Sequence, residues 1–153
     1  MASLWETIFF ESFEDDTFGV FNDAGKMTKV DDRIAKDGKF SLEIKDDKSI
    51  SNSRTDLISV SSFNELRINF FFWAKGADDG ESFYLEWLGN GSSNWEIIKQ
   101  YQKGTDFFEN EAWIEASETW DVSTATTGYV RFRSGFDSGK EKIILDDITL
   151  QGR

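Results

Sequence analysis

A chain of 153 residues with net charge −12, from 29 acidic and 17 basic side chains, is long enough to bury one full core, which its 15 Phe, 6 Trp and 3 Tyr would dominate. Histidine, cysteine and proline are absent, which excludes the usual zinc, haem and iron–sulfur ligand sets and the Ser-His and Cys-His nucleophile pairs. The acidic balance disfavours nucleic acid and anionic lipid, and fits either solubility or a role for cations.

In chain order, short runs of β-branched and aromatic residues predict strands near 4–13, 27–34, 39–45, 54–60, 64–75, 82–88, 94–101, 111–117, 127–134 and 142–150. Turn clusters separate them, at Asp37-Gly38, Gly76-Ala77-Asp78-Asp79-Gly80, Gly89-Asn90-Gly91 and Asp137-Ser138-Gly139. No sustained 3.6-residue apolar period predicts a long helix. The expectation is one all-β domain over residues 1–153, a two-sheet antiparallel β-sandwich of jelly-roll type. No run approaches the ~18 apolar residues of a membrane span. The opening Met1-Ala2-Ser3-Leu4-Trp5 lacks the parts of a signal peptide, and the ends sit close around the strands, as expected of a module from a longer chain.

Alternation sorts side chains onto faces. Phe40, Leu42 and Ile44 oppose Ser41, Glu43 and Lys45. Leu66, Ile68, Phe70 and Phe72 are expected inside, with Phe83, Leu85 and Trp87, and with Val130 and Phe132. Trp5 and Trp95 are also assigned to the core, and Trp120 can lie on either side. In the first strand Ile8, Phe10 and Ser12 share a parity with Glu14, which emerges just past the strand end.

The last strand holds an anomaly. Asp146 shares the parity of Ile144, Ile148 and Leu150, so its carboxylate is expected to point toward the core, where it needs a partner or a ligand role. Three readings stay open. A hard cation such as Ca²⁺ can draw on Asp146, Glu14 and the oxygens of the Asp37-Gly38-Lys39 turn into Ser41. A lysine or arginine can pair with the carboxylate. A bulge can turn it outward. No twelve-residue EF-hand loop occurs, and Asp15-Asp16 and Asp78-Asp79-Gly80-Glu81 read as solvated turns.

The opposite parities collect Asn69, Phe71 and Trp73; Tyr84 and Glu86; Glu96 and Gln100; Glu111, Trp113 and Glu115; and Tyr129, Arg131 and Arg133. If these strands share a sheet, they line one surface with aromatic planes among donors and acceptors, the mix that sugar rings and hydroxyls require. The alternative is packing under loops, with the arginines paired to Glu86, Glu111 or Glu115. Glu109, Glu111 and Glu115 share a parity, but the Glu-x-Asp-x-Glu signature of jelly-roll glycosidases is missing, so no enzyme is expected.

Five segments in order resemble MAM-like domains and jelly-roll carbohydrate-binding modules. Phe13-Glu14-Asp15-Asp16 is similar to their "FE(D/N)G" opening, and Asp37-Gly38-Lys39-Phe40-Ser41-Leu42-Glu43-Ile44 to "SGKYSLKV". Gly80-Glu81-Ser82-Phe83-Tyr84-Leu85-Glu86-Trp87 with Asn94-Trp95-Glu96 resembles a "DEFYLEYS…W" hairpin. Tyr129-Val130-Arg131-Phe132-Arg133-Ser134 resembles "vRIRFRS", and Leu145-Asp146-Asp147-Ile148-Thr149-Leu150 the closing "YIDDVSL". The resemblance implies a jelly roll with a structural Ca²⁺ between first and last strands, near Glu14, Lys39 or Ser41, and Asp146. It also implies a glycan-binding sheet or loop edge, here Asn69, Trp73, Tyr84, Glu86, Trp113, Tyr129 and Arg131. The chain lacks the disulfide cysteines of MAM domains and the glycine after Phe-Glu, which points to a cysteine-free branch. The resulting expectation is a non-catalytic, calcium-stabilised module, extracellular or at the cell surface, that binds a glycan or polysaccharide. The alternative is a structural or adhesive module of a cell-surface, filament or phage-fibre protein with protein partners.

Overall fold

The run Glu65–Lys75 buries Leu66, Ile68, Phe70, Phe72 and Ala74 and leaves the residues between them half-exposed, the period-two pattern of a strand with one face on a core. In the computed structural model, which describes residues 4–23, 28–45, 52–136 and 140–153, that run is the seventh of twelve strands. They are β1 (Glu6–Glu11), β2 (Phe21–Asp23), β3 (Thr28–Asp31), β4 (Ser41–Lys45), β5 (Asn52–Thr55), β6 (Ile58–Ser59), β7 (Glu65–Lys75), β8 (Ser82–Gly89), β9 (Glu96–Gln102), β10 (Trp113–Asp121), β11 (Thr127–Ser134) and β12 (Lys142–Gly152). Among the described residues there is no helix, and no helix is long and apolar enough to cross a membrane. The turn Asp137-Ser138-Gly139 lies outside the described residues.

The first sheet runs β10-β7-β12-β4-β3, with β1 also paired to β12; the second runs β2-β5-β11-β8-β9, with β6 on β11. All these pairings are antiparallel. The two sheets face each other in an all-β sandwich of the jelly-roll class, and aromatic rings join them. Phe70 meets Phe132 edge to face at 4.9 Å, and Phe72 meets Phe83 at the same distance. Within the second sheet, Phe83 stacks on Tyr101 of the neighbouring strand at 4.8 Å. Each such pair adds roughly 0.5–1.5 kcal/mol beyond area burial. The expected inward sets of β7, β8 and β11 are all buried, with Trp87 against Trp120 at 6.0 Å.

Several expectations give way. The strand read at 54–60 is two, β5 and β6, because Asp56 and Leu57 turn out of the sheet, and β2 was not foreseen. The register of β1 on β12 shifts between Thr7 and Phe9. This irregularity reverses the parity, so Phe9 packs on the core while Phe10 is 58% exposed. Trp5 and Trp95 are outside the core. Trp5 lies between the guanidinium groups of Arg67 and Arg153, each 4.4 Å from its ring, and Trp95 stacks on Arg131.

Candidate functional site

The residues expected to form one surface are divided between the two outer faces of the sandwich. Asn69, Trp73 and Trp113 belong to the first sheet, whereas Tyr84, Glu86, Tyr129 and Arg131 belong to the second. Parity assigns a side chain to inside or outside, but it cannot say which sheet its strand joins.

On the second sheet, Val130 and Phe132 point into the core, so Tyr129, Arg131 and Arg133 point out. Register sets Arg54, Arg131, Glu86 and Ile97 in one row across β5, β11, β8 and β9. Arg133, Tyr84 and Gln100 form the neighbouring row. Glu86 is only 3% exposed although it faces outward, because two arginines close over it. One oxygen, Oε1, accepts from Arg131 Nε at 2.8 Å and from Arg133 Nε at 2.9 Å. Arg133 Nη2 reaches the other oxygen at 3.4 Å.

Each guanidinium on this face also lies over an aromatic ring. Arg131 is 4.1 Å from the Trp95 ring, Arg133 is 4.0 Å from Tyr84, and Arg54 is 4.9 Å from Tyr129. Such contacts contribute about 0.5–2 kcal/mol each and fix the ring orientations. Tyr84, Trp95 and Tyr129 stay half-exposed. A pocket of about 170 Å³ beside Tyr129 is lined by Leu57, Leu88, Asn90 and Thr127 among others. The face therefore offers pre-oriented planes for ring C–H groups and forked donors for hydroxyls.

Sequence reasoning missed Arg54 and misplaced Trp95. Asn52-Ser53-Arg54-Thr55 carries no apolar residue whose alternation could mark its faces, and Trp95 precedes β9, where strand parity does not apply.

On the first sheet, Trp113, Trp73, Ile144, Glu43 and Lys29 lie in one row, and Asn69 lies between Ser117 and Thr149. Trp73 and Trp113 are half-exposed, whereas Glu43 is buried with Lys142 and Lys45 at 3.5 Å.

Asp146 corrects the expectation that it points into the core. It lies directly across from Phe71, on the outer parity of the first sheet. The irregularity that follows, with Asp147 at φ 48°, returns Ile148 and Leu150 to the core. The bulge is the physical reason: one extra residue reverses which side each later side chain takes. Asp146 is nonetheless fully buried, because the segment after β3 folds over it. Its Oδ2 accepts the N–H groups of Lys36 at 2.9 Å and Asp37 at 3.3 Å, and Oδ1 accepts that of Asp147 at 2.8 Å.

Glu14 is held by the same segment, taking the N–H of Lys39 at 2.6 Å and that of Phe40 at 2.8 Å. The Ser41 hydroxyl donates to the Ile34 carbonyl. Burial pushes the Asp146 carboxyl up to about 6 against its hydrogen bonds, with the Glu14 charge adding to the rise. Burial, a hydrogen bond to Asp37 and the charges of Asp146 and Asp37 push Asp147 up to about 7. These are hard oxygen donors of the kind Ca²⁺ takes, gathered where their charges repel. At present, loop amides rather than carbonyls answer Glu14 and Asp146. Elsewhere, oxygens of Asp78, Glu81 and Glu141 lie within 4.8 Å of one another, so the turn read as solvated acquires a carboxylate from just before β12.

The fold belongs to a class of two-sheet β-sandwiches that includes carbohydrate-binding modules and cleaved adhesin domains. The CBM22-1 xylan-binding domain from Paenibacillus barcinonensis Xyn10C matches with TM-score 0.71 and 15% identity, over 99% of this chain and 97% of that one. TmCBM61 in complex with beta-1,4-galactotriose matches at 0.64 and 14%, over 93% and 94%. The K3 cleaved adhesin domain of Lys-gingipain from Porphyromonas gingivalis W83 matches at 0.70 and 14%, over 96% and 98%. No family model and no curated protein sequence matches. At these identities the likeness establishes the fold.

Proposed function

We propose that the protein is a non-catalytic glycan-binding module whose ligand lies across the outer face of the second sheet. The observation that carries this reading is the set of three half-exposed rings on this face, Trp95, Tyr84 and Tyr129, each beneath a guanidinium, with Arg131 and Arg133 bound to the buried Glu86. Such a face binds sugar rings by stacking and orients them by hydrogen bonds without any acid–base pair. Xylan and β-1,4-galactan are first candidates, because neighbours of this fold are named for xylan binding and for a galactotriose complex. Affinity electrophoresis against a panel of soluble polysaccharides tests it. Retarded migration on at least one polymer, with no release of reducing sugar, is expected; unchanged migration throughout would remove the reading.

The proposal includes a structural Ca²⁺ held by Glu14 and Asp146, with Asp37 and Asp147 beside them. Support comes from the raised carboxyls of Asp146 and Asp147, whose repulsion a divalent cation would relieve. Bound there, the ion would tie the β1 exit to β12 and take no part in chemistry. An extracellular or surface setting and attachment to further domains fit such a module.

A second reading, an adhesive module with protein partners, is favoured by the likeness to the cleaved adhesin domain and by Phe10, exposed on the outer parity of the first sheet. Self-association or protein capture with no polysaccharide bound would select it.

A further inference from the structure

The second sheet's outer face has an unbalanced charge. Arg54 and Arg131 are directly opposite each other on neighbouring strands, an arrangement of like charges that is unfavourable. Arg131 and Arg133 share the single carboxylate of Glu86. Arg54 contacts the Tyr129 ring, and among the described residues no carboxylate pairs with it. Three guanidiniums therefore stand against one carboxylate, in a chain whose net charge is −12. Elsewhere Arg33 pairs with Asp31 and Arg153 with Glu65, so acids are plentiful where pairing is the purpose.

We propose that this face selects an acidic glycan, a sugar chain bearing isolated carboxylate or sulfate groups, with the anion seated between Arg54 and Arg131. The inference rests on the glycan reading above and deepens it. A planar guanidinium fork matches a carboxylate or sulfate, and an anion placed there relieves the cross-strand repulsion. At physiological ionic strength the Debye length is about 8 Å, so the local excess of two positive charges governs contact while the acidic remainder of the surface is screened. A dense polyanion is a poorer occupant. Nucleic acid carries a charge about every 1.7 Å, and most of those charges would meet the acidic surroundings instead of the arginines.

The test compares a glucuronate-bearing xylan with the same polymer after its carboxyls are reduced to hydroxymethyl groups, by affinity electrophoresis and calorimetry. A sulfated galactan and single-stranded DNA form further arms. Roughly fivefold to tenfold tighter binding of the acidic polymer is expected, the difference between a charge-assisted hydrogen bond and the neutral one a hydroxymethyl group still makes. That preference should shrink between low and high salt and fall toward one in Arg54→Gln, whereas Lys75→Gln on the other sheet leaves the ratio unchanged. Preference for sulfated galactan over glucuronate would identify sulfate as the anion. Equal binding of native and reduced xylan would overturn the charge inference and leave the glycan reading standing. Binding of no polysaccharide would remove both, and tighter binding of DNA than of any glycan would overturn the choice of occupant. An unchanged melting temperature in Arg54→Gln confirms that the variant is folded.

Discussion

The Glu86 carboxylate receives Arg131 and Arg133 on the same oxygen, at 2.8 and 2.9 Å, from two positions of β11 that are one full strand repeat apart. This convergence holds both guanidiniums over Trp95 and Tyr84, 4.1 and 4.0 Å from the ring centres, so the ionic pair and the aromatic surface are parts of one construction. Removing the acid should therefore disturb both stability and shape.

Glu86→Ala should lower unfolding stability by roughly 3–5 kcal/mol, because it leaves two largely buried cations without their counter-charge. Glu86→Gln should cost less, since the amide oxygen can still accept both Nε–H groups and only the counter-charge is lost. Urea midpoints at constant slope measure both. A loss below that of an ordinary surface substitution would show that the arginines find other partners.

The two outer faces can be told apart by single tryptophans. Trp95→Ala should weaken glycan binding about tenfold through the lost stacking plane, while Trp73→Ala and Trp113→Ala should leave affinity within about twofold. The opposite pattern would move the ligand to the first sheet, where Asn69 lies.

In EDTA, stability should fall as the pH rises from 5 to 7.5. Asp146 and Asp147 have folded pKa values of about 6 and about 7, above the ordinary 3.8. The folded state thus binds more protons than the unfolded state in this window, and the stability this gives is lost as the pH passes the folded values. Asp31, Asp106 and Asp121 are held below the ordinary range, so their contribution changes only at lower pH. Thermal melts of the protein and of Asp146→Asn should differ in slope, with the variant flatter.

With about 1 mM Ca²⁺ the melting temperature at neutral pH should rise by roughly 5–10 °C over that in EDTA, as expected for a site filled well above its dissociation constant. Asp146→Asn should abolish the rise. Identical melts with calcium and with EDTA would eliminate the metal from the account.

Gly38 has φ 65°, and a Cβ there would run into the Glu14 carboxylate. Gly38→Ala should cost roughly 1–3 kcal/mol from backbone strain plus the displaced acid. Gly80→Ala, at φ 93° with open space around it, bears the backbone strain alone. A difference between the two variants measures the Glu14 clamp, and equal losses would show that the clamp adds nothing.

Much of the strand framework could be read from alternation, because an apolar side chain every second residue has one low-energy arrangement. The strand read at 127–134 coincides with β11, and those read at 64–75 and 82–88 match β7 and β8 within one residue. The strand read at 111–117 instead runs over Trp113–Asp121, since Glu111 takes φ 59° and ends the preceding turn. Strand parity singled out Glu14 and Asp146, the resemblance named the same pair, and the structure ties both to the 36–40 segment, though by backbone N–H groups.

Composition and period-two patterning settled the all-β class, the inward sets of β7, β8 and β11 and the absence of histidine and cysteine chemistry, since these depend on residue type and immediate neighbours. Long-range pairing settled the rest. The bulge at Asp147 turned Asp146 outward against its apparent parity, and strand order sent Trp73 and Trp113 to one outer face and Tyr84, Glu86, Tyr129 and Arg131 to the other. Neither result is encoded locally, because a strand's partners are fixed by the whole chain's competition to cover its apolar faces.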